Sequence, residues 1–151
     1  MQIKISIIVP VFNSQKYLRD CLTSICTQTN NEVEIIIIND GSTDSSIKIC
    51  EKYNKNFKYI RLVNLNKNKG VGYCRKIGCK IAKGKYICFV DSDDKLSLNS
   101  VKNFLNQISK YPNTDLFVLR NTTIGINRVH NFKIDKNQIF INKKKKINSK
   151  H

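Results

Sequence analysis

The 151-residue chain has no tryptophan, one methionine, two histidines and two prolines. Each shortage excludes something. His130 and His151 both lie late in the chain, so no Ser-His-Asp arrangement is worth defending. The six cysteines (Cys21, Cys26, Cys50, Cys74, Cys79 and Cys88) form no C-x-x-C pair and have no histidine beside them, which argues against a zinc site. Most fall on apolar faces of expected helices or of a strand, and they read as buried free thiols in a reducing cytosol. No apolar run approaches the roughly 18–20 residues of a membrane span. Ile5–Val11 is too short for a secretory leader and contains Pro10. A cytoplasmic protein is expected. Two prolines and six glycines are also too few for a chain disordered over most of its length.

Acidic residues are scarce too: 11 against 27 Lys and Arg, for a formal net charge of +16. Beyond residue 126 the only acid is Asp135, against Arg128, Lys133, Lys136, Lys143, Lys144, Lys145, Lys146 and Lys150. A basic surface meets nucleic acid, anionic lipid or phosphate groups. The same charge also serves merely to keep a surface solvated. The lysine run has no interleaved aromatics, which argues against nucleic acid. A peripheral contact with an anionic membrane, at its inner face, stays open as an alternative. Against this background the stretch "YICFVDSDDK", Tyr86–Lys95, gathers Asp91, Asp93 and Asp94 within four positions. Carboxylates so close repel one another. A bound divalent cation is the simplest way to offset that.

The hydrophobic pattern alternates between two periods. "KISIIVPVF" is a β-branched run expected to be a strand buried on both faces. In "NSQKYLRDCLTSICTQT", Tyr17, Leu18, Cys21, Leu22, Ile25 and Cys26 share one helical stripe, with Asn13 or Ser14 as the N-cap. "EVEIIIIND", "KYIRLVNL" and "KYICFV" read as further strands, and "TDLFVL" as a fifth. "SIKICEKY", "VGYCRKIGCKIA" and "LSLNSVKNFLNQISKY" read as helices, the second weakened by Gly72 and Gly78 and ended by "KG", the third stopped before Pro112. Beyond Arg120 the signal fades, with "NFKI" and "QIFIN" as short strand candidates and a frayed end. One domain over 1–125 and a basic segment over 126–151 follow. Alternating strands and helices predict an α/β fold with a mostly parallel sheet and helices on both faces. Ligands of such sheets bind outside the carboxyl ends of the strands. The loops "PVFN", "NDGSTD" and "DSDD" all follow such ends.

In "NDGSTD", Ser42 or Thr43 serves as a helix cap and Asp44 favours the helix dipole. Asp40 precedes the turn, where a carboxylate accepts hydrogen bonds from a base edge or a ribose hydroxyl. Oxygen ligands from Asp91 and Asp93 suit hard cations such as Mg²⁺ or Mn²⁺, with diphosphate oxygens completing the shell. The competing reading is a solvated turn with capping aspartates, and it serves well for Asp94. "GVGYCR" fails the G-x-G-x-x-G pattern, because position 75 is arginine, and no P-loop is present. Arg75 is either a solvent-facing helical cation or a partner for cleft carboxylates or phosphate.

In order, "SIIVPVFNSQKYLRDCLTSICTQT", "EIIIINDGSTDSS" and "NKGVGYCRKIGCKIAKGKYICFVDSDD" resemble the N-terminal half of family 2 glycosyltransferases, over roughly residues 3–120. The resemblance implies the GT-A fold, Rossmann-like and built around a nucleotide-sugar. It implies that Pro10, Val11 and Asn13 border the nucleoside, that Asp40 bonds the base, usually uracil, and that Arg75 is the arginine of the family's "ARN" stretch. Asp91 and Asp93 would be its D-x-D motif, Asp93 on Mn²⁺ or Mg²⁺ and Asp91 on ribose or the metal shell. The implied activity is transfer of a sugar from a nucleoside diphosphate-sugar, a UDP-sugar first, to a saccharide, lipid-linked or protein acceptor. The chain departs from the pattern in two places: lysine replaces the asparagine of "ARN" at Lys76, and no acidic pair follows Asp94 to supply a base. A donor-binding module without catalysis is therefore the alternative, and a basic membrane-surface or nucleic-acid-binding protein a third reading.

Overall fold

The structure, a computed structural model, describes residues 2–119 and 138–142. The elements run β1 (Ile5–Val11), α1 (Leu18–Cys26), β2 (Val33–Asn39), α2 (Ser46–Asn56), β3 (Ile60–Asn64), α3 (Val71–Ile81), β4 (Tyr86–Phe89), α4 (Ser100–Lys110), β5 (Leu116–Leu119) and β6 (Gln138–Asn142). They form one six-stranded sheet ordered β3-β2-β1-β4-β6-β5. The first four strands are parallel. β6 runs antiparallel to both β4 and β5. The mostly parallel α/β sheet expected from the sequence is present, and "QIFIN" is one of its strands. "NFKI", the expected boundary near residue 125 and the lysine run lie outside the described residues.

The winding explains where a ligand can bind. From β1 the chain steps outward to β2 and β3, then returns to place β4 on the other side of β1. The strand order reverses between β1 and β4, the position at the carboxyl ends of a parallel sheet where such folds bind ligands.

Period-two alternation sorts each buried strand between two cores. On one face Ile5, Ile7, Val9 and Val11 of β1 meet Leu18, Leu22 and Ile25 of α1, Ile49 of α2, and Val101, Phe104 and Ile108 of α4. On the other, Ile8, Ile36 and Ile38 meet Cys74 of α3. Each fully buried isoleucine contributes about 2 kcal/mol by its removal from water. Gly78 makes the second core tight: a Cβ there would sit 2.5 Å from Cγ2 of Ile8. The glycine that weakens α3 as a helix is what lets it lie down on β1.

Three expectations at element ends need correction. Neither Asn13 nor Ser14 caps α1 by its side chain; the N-cap is Tyr17, without a side-chain bond. The Ser14 carbonyl instead accepts the Tyr17 and Leu18 N–H groups at 3.0 Å each. Neither Ser42 nor Thr43 caps α2; its N-cap is Ser45, and Asp44 accepts the Ser46 N–H at 2.9 Å. "KG" is not a left-handed helix stop, because α3 ends on an extended Ala82 and Gly84 has no positive φ. A Cβ on Gly84 would lie 2.5 Å from the Ser6 nitrogen, so glycine is needed there for close passage of β1.

Candidate functional site

The site begins with three loops fastened to one another. Asn13, just past β1, has φ +47, a left-handed value that asparagine tolerates better than most residues. Its N–H donates to the Ser42 hydroxyl at 3.1 Å, and its Oδ1 accepts the Thr43 N–H at 2.8 Å. Ser14 donates its N–H to the Ser46 hydroxyl at 2.8 Å and shares a 2.6 Å hydroxyl bond with the buried Ser92. The Gln15 N–H donates to Asp44 at 3.1 Å, and the Gln15 side chain accepts the Ser45 N–H at 3.0 Å. Burial is the largest single influence and pushes the Asp44 carboxyl up, but the hydrogen bonds from Ser46 and Gln15 together outweigh it and hold that carboxyl below its usual range. The loops after β1, β2 and β4 thus form a single frame.

Asp40 follows β2 at once and is only 3% exposed. Its own N–H donates to the Val11 carbonyl at 2.8 Å. Its Oδ1 accepts the Lys69 N–H at 2.7 Å and its Oδ2 the Gly70 N–H at 2.8 Å. Asp40 therefore ties β2 to the loop that opens α3. With the Cys74 thiol also bonded to it, the carboxylate keeps acceptor capacity for one further bond, so this tie and a bond to a ligand are compatible. Cys74, one turn into α3, is buried; burial, with the Asp40 carboxylate beside it, pushes the thiol up to about 11.

Arg75 projects from the same turn of α3. Its Nη2 donates to Oδ1 of Asp91 at 2.8 Å, and its guanidinium carbon lies 5.5 Å from the centre of the Phe89 ring. The acidic stretch is not an extension of β4. It turns, with the Asp94 N–H donating to the Asp91 carbonyl at 3.0 Å. Asp91 and Asp93 are exposed on either side of the buried Ser92. The Cys21 thiol donates to the Asp91 carbonyl at 3.5 Å from below. Burial, then the carboxylates of Asp94 and Asp93, push that thiol up to about 12.

Pro10, Val11, Asn13, Asp40, Asp91 and Asp93 line one cleft of about 460 Å³. Arg75 joins it through Asp91. The carboxamide oxygen of Asn13 is committed to the loop of β2, so its contribution is to hold the rim. Sequence reasoning missed Phe12 and Tyr17, exposed aromatics at the cleft, and Asn68, Val71 and Ser92, which also line it. Only position beside a motif could have pointed to them. A second groove of about 300 Å³ between α1 and α2 holds none of the candidate residues. No group of three or more His, Cys, Asp or Glu among the described residues is placed to hold a metal ion by itself. The donor set at the turn is all oxygen and fits a hard cation that takes one or two carboxylates and draws its remaining ligands from phosphate and water.

A cleft at the carboxyl ends of a mostly parallel sheet, with a carboxylate just after β2 and an acidic turn after β4, defines an α/β domain of the GT-A kind. The sequence matches the family described as Glycosyl transferase family 2 over residues 6–150, and the chain belongs to that family. It is 44% identical over 93 residues to the uncharacterized glycosyltransferase YibD of Escherichia coli, a stretch that covers 62% of this chain and 27% of YibD. Among solved structures it is similar to S. aureus TarS 1–349 in complex with UDP-GlcNAc, at 30% identity and a TM-score of 0.73, covering 83% of this chain and 37% of that one. The fold is also that of the mannosyltransferase PcManGT from Pyrobaculum calidifontis in complex with GDP-Man and Mn²⁺, at 16% identity and a TM-score of 0.69, covering 80% of this chain and 36% of that one. The chain covers between 15% and 41% of the length of the curated relatives compared with it. No helix among the described residues is long and apolar enough to cross a membrane.

Proposed function

We propose that this chain is the donor half of a glycosyltransferase, holding a nucleoside diphosphate-sugar, a UDP-sugar first, with a divalent cation for transfer to an acceptor hydroxyl. The observation that carries the reading is the convergence of Asp40, Asp91 and Asp93 on one cleft, framed by Pro10, Val11 and Asn13. Asp40 faces the nucleoside, with acceptor capacity left for the base beyond its bonds to Lys69, Gly70 and Cys74. Arg75 and Asp91 stand toward ribose and diphosphate, and Asp91 and Asp93 are the carboxylates that would hold Mg²⁺ or Mn²⁺. The relatives in complex with UDP-GlcNAc and with GDP-Man and Mn²⁺ support the ligand class. When bound, the cation would neutralise charge developing on the nucleoside diphosphate leaving group. The protein's own part is orientation: a rigid rim of cross-bonded loops and a buried carboxylate set the donor's position.

A panel of nucleotide-sugars, each scanned for thermal stabilisation with and without Mn²⁺, tests this. A UDP-sugar should raise the melting temperature only when the metal is present. A panel in which no nucleotide shifts the transition would remove the proposal. A second reading, donor binding without transfer, is favoured by one observation: beyond Asp94 the only acid among the described residues is Asp115, one residue before β5. Metal-dependent release of UDP from a UDP-sugar would rule that reading out.

A further inference from the structure

The chain has already answered the repulsion within its acidic turn, with a cation of its own. Arg75 bonds Asp91 through a single N–H, at 2.8 Å, while half of the Asp91 side chain stays exposed. The contact is one-pronged, so it lacks the second bond that makes arginine–carboxylate pairs strong. The Arg75 Nε is buried and has no hydrogen-bond partner among the described residues. A buried donor without a partner is a cost that a better arrangement would remove. The guanidinium also lies over the Phe89 ring, 5.5 Å from its centre, a contact that does not require the bond to Asp91. Arg75 is thus held well enough to neutralise Asp91 and poorly enough to leave it.

Building on the nucleotide-sugar reading above, we propose that Arg75 is a place-holding cation that makes divalent-metal binding at Asp91 conditional on a nucleoside diphosphate. Without nucleotide, a metal ion approaching Asp91 meets the guanidinium already bonded to that carboxylate, and the two positive groups repel. A diphosphate changes the balance, because it offers the guanidinium a second anion and the metal its missing oxygen ligands. Arg75 then swings from Asp91 toward phosphate, and metal and nucleotide bind as a pair. By reciprocity the metal strengthens nucleotide binding by the same factor. Arg75 is a positioning residue in this scheme, since it acts through the charge on Asp91.

The test measures Mn²⁺ affinity from the free-manganese paramagnetic resonance signal, with and without UDP, for the wild-type chain, Arg75→Gln and Arg75→Lys. In the wild type, UDP should tighten Mn²⁺ binding about tenfold or more. Arg75→Gln should bind Mn²⁺ alone more tightly than wild type, and UDP should change that affinity less. Arg75→Lys keeps the charge without the planar fork and should fall between them; it also serves should the glutamine variant fold poorly. Equal or weaker binding of Mn²⁺ alone by Arg75→Gln, or UDP coupling unchanged from wild type, overturns the role of Arg75. A wild-type chain that binds Mn²⁺ but never UDP overturns the nucleotide reading instead, and with it the coupling.

Discussion

In the proposed site Asp93 would bring an exposed carboxylate to a metal beside the diphosphate. Asp93→Ala should leave the melting temperature nearly unchanged, since the side chain is exposed. It should abolish Mn²⁺-dependent UDP binding by calorimetry; unchanged affinity would take Asp93 out of the site. Gly41 makes the opposite case. Its φ is +68, and a Cβ would lie 2.8 Å from the backbone of Lys67. Neither strain nor contact can be relieved by turning a side chain. Gly41→Ala should cost about 2 kcal/mol and separate the loops after β2 and β3. Equilibrium urea unfolding would measure it.

At the scale of elements, Asp40 ends β2 and fastens the start of α3 by two backbone N–H groups. Asp40→Asn keeps the shape but replaces one acceptor with an amide that donates. The Gly70 N–H keeps the Asn68 side chain as a second acceptor, but the part-buried Lys69 N–H can lose its partner, at a cost of about 1 kcal/mol. Amide exchange at Lys69 or Gly70 should accelerate well beyond the rest of the sheet; unchanged protection would show that Asp40 does not order that loop.

Strands one to four and their helices were legible in the sequence because period and length agree there. The cleft was legible because three polar loops follow three strand ends. The cross-bonds among those loops were not. Asn13 reads as a cap for the helix that follows it, yet in space its side chain serves the loop after β2, and no local pattern carries that. A turn at Asp91–Asp94 was one of two readings the sequence offered, but the long-range bond that pins its buried Ser92 to Ser14 was not legible there. β6 announced itself as a strand candidate, but its place between β4 and β5 is a matter of topology.

Across the whole molecule, none of the six cysteines forms a disulfide, and all but Cys79 are buried. Burial pushes the thiols of Cys21 and Cys50 from 9.0 up to about 12. In the unfolded chain they ionise near 9.0, so between that pH and about 12 the native state binds more protons. Their contribution to stability is complete below the lower value and is lost as pH rises through the window. Urea midpoints should therefore decline from pH 8 to pH 10.5 more steeply for the wild type than for Cys50→Ala. Parallel declines would show that the buried Cys50 thiol does not contribute to the loss. Native thiols should also react slowly with a disulfide reagent at neutral pH, because buried neutral thiols are poor nucleophiles.

The position of β6 bears on how the polypeptide acquires its shape during synthesis. β5 pairs only with β6 among the described strands, and β6 also pairs with β4. As the chain leaves the ribosome, Leu116–Leu119 emerges with no neighbour to zip against and must wait for Gln138–Asn142 to arrive. The first four strands need no such delay. Arrest at successive lengths should show the Asp40 corner protected from proteolysis while the segment beginning at Leu116 is still cut.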